Sequence, residues 1–268
     1  MAMIVRLLAE IIGFGVGFFG LFVFALLALA AEVGFRIGRA RGRAAASLEK
    51  ETAGVSTVTT AMLAFVAFTL AVTTGIAEDR FEARRLATRD EANSIGTAWA
   101  RTGLAGTAGK PIAALIEEYA RVRLAYVAAA GPDAAAPPLA RTDVLQNAIL
   151  QQALPVVAGM PSPLGAALMS SINDMFSASL AQRYAIESRT PNETLLGLQL
   201  GAMLAAGALG YQLGLAARRQ LVLTLLLFLM LSGAMVMIVD FNRPYSGFIR
   251  VNSAPFEWTI RSFGDPTH

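Results

Sequence analysis

Few side chains in this chain could do covalent chemistry. There is no Cys, and the single His is His268, the last residue. Thiolate nucleophiles, disulfides and Cys-based metal sites are therefore excluded. A Ser–Lys nucleophile would have to use Lys50 or Lys110, the only lysines, and both lie near predicted turns. Two carboxylate pairs occur, Asp90–Glu91 and Glu117–Glu118. Adjacent helical residues point about 100° apart, so neither pair shares a face, and both read as solvated helix surface. A divalent site built from Asp90, Glu91 and Asp174 is an unspecified alternative. The glycines of "GFGVGFFG", Gly13–Gly20, superficially match nucleotide-loop spacing, but they lie inside an apolar run with no preceding strand. They read instead as close helix packing, as do Gly201, Ala205, Ala208 and nearby residues of the third span. No cofactor or metal is predicted, and an enzyme is the weakest of the readings.

The polar residues that could act together are physical rather than covalent agents. In "TGIAEDRFEARRLATRDEANSIGTAW", Thr74–Trp99, an apolar run gives way abruptly to Glu78, Asp79, Arg80, Glu82, Arg84, Arg85, Arg89, Asp90 and Glu91, with nothing that would break a helix. On a helical wheel Thr59, Met62, Val66, Thr69, Thr73, Ala77, Arg80, Arg84 and Glu91 share one face. That stripe is hydroxylated in its apolar part and cationic just beyond. A pore in an oligomer has this pattern, with Arg80 and Arg84 gathering anions at its mouth, Thr59, Thr69 and Thr73 offering hydroxyls, and Val66 with Phe65 or Phe68 forming an apolar constriction. The plain alternative is that the threonines bond their own backbone and the arginines anchor at headgroups. The opposite face holds Ala64, Phe68, Ala71 and Gly75, residues suited to packing.

These residues need elements to position them. Of the 268 residues, 55% are hydrophobic, too many for an ordinary soluble domain and fitting for a membrane protein with a wet portion. A bilayer core takes about 20 apolar residues as a helix. Four segments qualify, 11–31, 53–77, 194–217 and 221–239, and none carries an ionisable residue. The first reads as an uncleaved anchor rather than a signal peptide, because its apolar stretch is too long. The net charge is only +3 and no basic stripe is interleaved with aromatics, so nucleic acid is not an expected partner.

Orientation follows from basic residues in short loops. "RIGRARGR" carries Arg36, Arg39, Arg41 and Arg43, and the turn between the third and fourth spans carries Arg218 and Arg219. Both loops read as cytoplasmic, which places the middle region and the tail outside. Arg80, Arg84, Arg85 and Arg89 argue the other way. The expected organisation is all-α: residues 1–77 with two spans and a basic loop, 78–193 as a helical insert continuing the second span, 194–239 as a membrane hairpin, and 240–268 as a tail. Within the insert, the second span runs on to about Arg101 and stops at "TGLAGTAG". Pro111 opens the next helix, "GPDAAAPP" is a linker, a helix covers about 139–157, and another runs from "SPLG" to Arg189. "TPNE", Thr190–Glu193, predicts a capping box with Pro191 at the first helical position, opening the third span. The tail reads as loop with a strand-like "GFIRV".

Three motifs in this order resemble bacterial bestrophin-like membrane proteins, a family catalogued as a domain of unknown function. Arg80, Arg84, Arg85, Glu91, Ala92, Asn93, Ile95, Gly96, Thr97 and Ala98 match its segment after the second span. Asn173 in "SSINDMF" matches its Asn-centred helix, and Asp240, Arg243, Pro244 and Gly247 match its post-membrane signature. Asn242 stands where that signature has a second Asp, which argues against a two-carboxylate cation site. The resemblance covers the chain from the second span onward. It implies four membrane helices, a homo-oligomeric ring in a bacterial cytoplasmic membrane, and conduction of chloride or another small anion along the second span. The rival is a non-conducting scaffold, accessory subunit or sensor whose insert binds a partner. In that case Arg84, Arg85, Glu91, Asn93, Asn173, Asp240 and Arg243 would form a polar network holding insert and tail to the long helix.

Overall fold

The computed structural model describes residues 15–42, 48–188, 191–245 and 247–264. Among them every regular element is helical. The helices are α1 (Val16–Gly42), α2 (Leu48–Thr102), α3 (Lys110–Val127), α4 (Pro132–Ala158), α5 (Ser162–Glu187), α6 (Asn192–Leu215), α7 (Leu221–Phe241) and α8 (Ala254–Ser262). α1, α6, α7 and the apolar part of α2 are long and apolar enough to cross a membrane. The chain divides into an apolar unit, Met1–Asp79 with Thr190–Asn242, and a polar unit, Arg80–Arg189 with Arg243–His268. α2 contributes residues to both.

In the apolar unit α1 and α6 touch through backbone. A Cβ added at Gly210 would collide with the Ala31 carbonyl, one at Gly214 with that of Phe35, and one at Gly34 with that of Gly207. In this register both helices advance together, so they pack parallel. The basic end of α1 and the turn that follows α6 therefore lie at the same end of the unit. Glu32 joins them: it accepts from Arg36 at 2.9 Å and from both terminal nitrogens of Arg219 at 3.2 and 3.3 Å. Arg219 also lies over the Phe35 ring, 4.2 Å from its centroid. On α6 the backbone contacts fall among the small residues of the third span expected to pack, where Ala205 is also fully buried, but the other expected positions differ. Gly13 lies outside the described residues, Gly17 has open space where a Cβ would go, and Gly201 is only in ordinary contact distance of Val66. Gly20 alone of that set is tight, against a side-chain methyl of Val236.

The polar unit has a core of its own. Ala92, Ile95 and Ala98 of α2 meet Ile112, Ile116 and Tyr119 of α3, Leu145 and Ile149 of α4, Leu168 and Ile172 of α5, and Phe256 of α8. The Ala-rich helices thus bury themselves against the polar half of α2. α2 ends in a 3₁₀ stretch, Gly103–Gly109, with Gly106 at φ +56°, a conformation costly for any residue with a Cβ.

Several sequence expectations change. "RIGRARGR" is not loop as far as Gly42: Arg36, Arg39 and Arg41 extend α1, where cations in a last turn suit the helix dipole. Arg43 lies outside the described residues. "GPDAAAPP" is not a linker. α4 starts at Pro132, and although Pro137 and Pro138 lie inside it, Ala135 is buried in a small cluster with Tyr126 and Ile186 that holds this turn in place. Thr190, half of the predicted capping box, is outside the described residues, and Pro191 precedes α6 rather than opening it. No described residue of "GFIRV" is in a strand. The tail instead contains α8, which sequence reasoning missed. Its signal was Pro255 in the first turn and Ser253, whose hydroxyl donates to Glu257 at 3.1 Å.

Candidate functional site

α2 positions nearly every candidate residue. Its buried face in the apolar part comprises Thr59, Val66, Leu70, Thr73 and Ala77. Thr59 is 2% exposed and Thr73 5%, while Phe65 is 69% and Phe68 67% exposed. The residues predicted as one lining therefore occupy two faces: Thr59, Val66 and Thr73 point into the chain, Thr69 is half-buried, and Phe65 and Phe68 point out. Ala64 and Ala71, expected to pack, are exposed with them. The hydroxyls of Thr69 and Thr73 donate at 2.8 Å to the carbonyls of Phe65 and Thr69, four residues back, as the plain alternative supposed. Thr59 borders a cleft of about 540 Å³ between α1, α2 and α6. The other walls of that cleft, such as Val33, Val55 and Leu204, suit hydrocarbon rather than a hydrated ion.

In the polar half the same face continues through Arg84, Thr88, Glu91, Ile95 and Ala98, all buried. Arg84 is interior, its Nη1 within 3.5 Å of the Ser188 carbonyl, and Arg80 is half-buried. Glu91 is not solvated surface as expected. Together with Arg123 of α3 it is fully excluded from solvent. Arg123 donates through Nε to Glu91 Oε1 and through Nη2 to Glu91 Oε2 at 3.0 Å, a bidentate pair, and Nη2 also reaches Gln182 Oε1 at 2.8 Å. The guanidinium lies 4.6 Å from the centroid of Tyr126. Tyr119 adjoins the pair and accepts from Gln146 at 3.3 Å. Arg123 Nη1 and Gln182 Nε2 have no hydrogen-bond partner among the described residues.

Burial pushes the Glu91 carboxyl above its ordinary value of 4.5, with the Arg123 guanidinium pulling the other way. Burial opposes the Arg123 charge too, but the Glu91 carboxylate outweighs it and keeps the guanidinium protonated. The Tyr119 phenol is raised by burial first and by the Glu91 charge second. Arg123, Tyr119 and Gln182 were not singled out from sequence. Their partner is far away in the chain, and an Arg on an amphipathic helix gives no sign of being interior.

The motif residues separate by what they touch. Glu91, Ala92, Ile95 and Ala98 face the core, while Asn93 and Thr97 are exposed. Gly96 faces α8: a Cβ there would come 3.4 Å from the Thr259 methyl, and the Thr259 hydroxyl donates to the Ala92 carbonyl at 3.2 Å. Trp99 stacks on Phe263 beyond α8, with ring centroids 5.0 Å apart. Small residues in this segment thus admit the C-terminal helix. Of the proposed network, Glu91 belongs to the buried cluster, and Asn173 is exposed on α5. Asp240 is buried in the apolar unit, and Arg243 is half-buried in the polar unit. Arg85 and Asn93 line a surface cleft with Arg89 and Trp258. Among the described residues no group of acidic or His side chains could hold a metal. In the apolar unit, Gln199 of α6 is buried with neither side-chain polar atom partnered among the described residues. A search for ionisable groups in the spans passes it over.

Comparison with protein-family models, with curated proteins and with solved structures gives no match.

Proposed function

We propose that this chain is a multi-pass membrane protein whose helical polar unit is a binding module, a sensor or scaffold held at a bilayer, and that it does not conduct ions. One observation carries the reading. Of the hydroxylated and cationic face of α2 that a polar pore would need, Thr59, Val66, Thr73 and Arg84 are buried inside the chain and Thr69 and Arg80 are half-buried, while Phe65, Phe68, Val72 and Ile76 turn outward. Lining a water path with Thr73 or Arg84 would require those side chains to leave their packing. The polar unit, by contrast, has its own core and a buried ion pair, as a module that must hold its shape for recognition does. The basic last turns of α1 and the basic turn after α6 favour the cytoplasm for that end of the apolar unit and, by chain order, the outer side of a bacterial cytoplasmic membrane for the polar unit.

The second reading is an oligomeric anion channel of bestrophin-like type. The motif resemblance favours it, as do Phe65 and Phe68, which would meet as an apolar constriction if copies surrounded a central path. Chloride efflux from liposomes carrying the purified protein separates the two. Efflux at the level of empty liposomes is expected. Efflux above that level that changes with Phe68→Ala would overturn the binding-module reading in favour of the channel.

A further inference from the structure

We propose that the cleft between α2 and α8 binds a phosphate ester. The inference rests on reading the polar unit as a binding module and names the class of ligand it takes. The cleft holds about 530 Å³, and among its walls are Arg85, Arg89, Asn93, Asn252, Trp258 and Thr259, with no carboxylate. Arg85, Arg89 and Asn93 stand four residues apart on one face of α2, about 6 Å per step, so two guanidinium forks and an amide line one wall. Guanidinium rather than ammonium is the group that grips a phosphate through two parallel hydrogen bonds.

The present partners of these arginines can be exchanged. Arg85 pairs with Glu82 at 3.0 Å and Arg89 with Asp90 at 3.1 Å, all on exposed side chains, and such surface pairs contribute little. Asn93 makes no side-chain hydrogen bond among the described residues. Asn252 accepts the Ala254 amide through Oδ1 at 2.9 Å, which leaves its NH₂ as a donor. On the α8 wall Trp258 is 63% exposed and offers a large apolar face. Two forks, two amides and an exposed indole fit a phosphate joined to a polyol or ring, whose C–H groups would cover the indole.

The phosphate could come from a soluble ester or from a lipid headgroup, and the test keeps these apart. The chain has two tryptophans, and Trp99 is stacked on Phe263, so Trp99→Phe leaves Trp258 as the only indole emitter. Full-length Trp99→Phe protein in phosphatidylcholine nanodiscs is titrated with glycerol 3-phosphate. The same protein in phosphatidylglycerol nanodiscs supplies the lipid arm, and glycerol is the control. A saturable change in Trp258 emission is expected in one arm, weakened at least tenfold by Arg85→Gln with Arg89→Gln and unchanged by Arg141→Gln, which lies outside the cleft. If Trp99→Phe does not fold, the wild-type chain against Trp258→Phe gives the same comparison. No saturable change in either arm, or a change that survives removal of both arginines, would overturn the site. Neither result bears on ion flux, so a failure here is distinct from a failure of the non-conducting reading.

Discussion

The two units solve the same problem, holding long helices together, by different physics. In the apolar unit α1 and α6 meet at glycines whose missing side chains let backbone touch backbone. In lipid there is no hydrophobic drive to join helices, so close van der Waals contact has to do it. In the polar unit an aliphatic and aromatic core excludes water, and at its side lies a fully buried Arg123–Glu91 pair. The difference shows where specificity sits. The apolar unit is specified by what is absent at a few positions, the polar unit by one charge pair that tolerates only its own partner.

The comparison can be broken by substitution. Arg123→Met leaves Glu91 buried and unpaired and is expected to cost about 3–5 kcal/mol, read as loss of the folded polar unit by limited proteolysis of the purified protein. Adding Glu91→Leu to it should recover most of that loss, since replacing both members by apolar groups removes the stranded charge. No recovery in the double variant would show that the loss does not come from a stranded buried charge. Gly210→Val comes next. Its side chain would meet the Ala31 backbone, and the helices must part, costing about 3 kcal/mol, seen as a lower apparent Tm in detergent. Gly233→Ala, where a Cβ meets open space, should leave Tm within about 1 kcal/mol of equivalent stability.

A further effect is one of pH. Because burial raises the Glu91 carboxyl above 4.5, the folded chain binds its proton more readily than the unfolded chain between that value and the raised one. The contribution of this group is fully present below pH 4.5 and is lost as pH rises through the raised value, with a slope of at most about 1.4 kcal/mol per pH unit. Thermal unfolding of wild type and Glu91→Gln across that range should differ by this slope. Parallel curves would mean that the carboxyl is not shifted.

Much of the architecture is legible in the sequence because it depends on length and period. A run of about 20 apolar residues is a span-length helix wherever it occurs, and "TGLAGTAG" stops α2 through glycines that need no partner to be recognised. Long-range pairing is what was hidden. The wheel placed Thr59, Thr73, Arg84 and Glu91 on one face, but which face is buried depends on helices far along the chain. Glu91 looked like half of a solvated pair because Arg123 sits 32 residues away. The prolines of α4 argued for a linker, and only the burial of Ala135 with Tyr126 and Ile186 reverses that. The segment from Thr74 to Trp99 is legible as one continuous helix; its division into a core face, a face for α8 and a cationic wall required the fold.

The central claim is that the polar stripe of α2 is packed within the chain and does not line a water path. The absence of native Cys makes its test direct. Thr73→Cys and Val66→Cys, each alone, are exposed in intact membranes to a charged, water-soluble thiol reagent, with Asp133→Cys on the exposed start of α4 as the reactive reference. Both stripe positions are predicted to stay unlabelled until the protein is denatured, while Asp133→Cys reacts at once. Labelling of Thr73→Cys in the native membrane at a rate near that of Asp133→Cys would contradict the account and place water along α2.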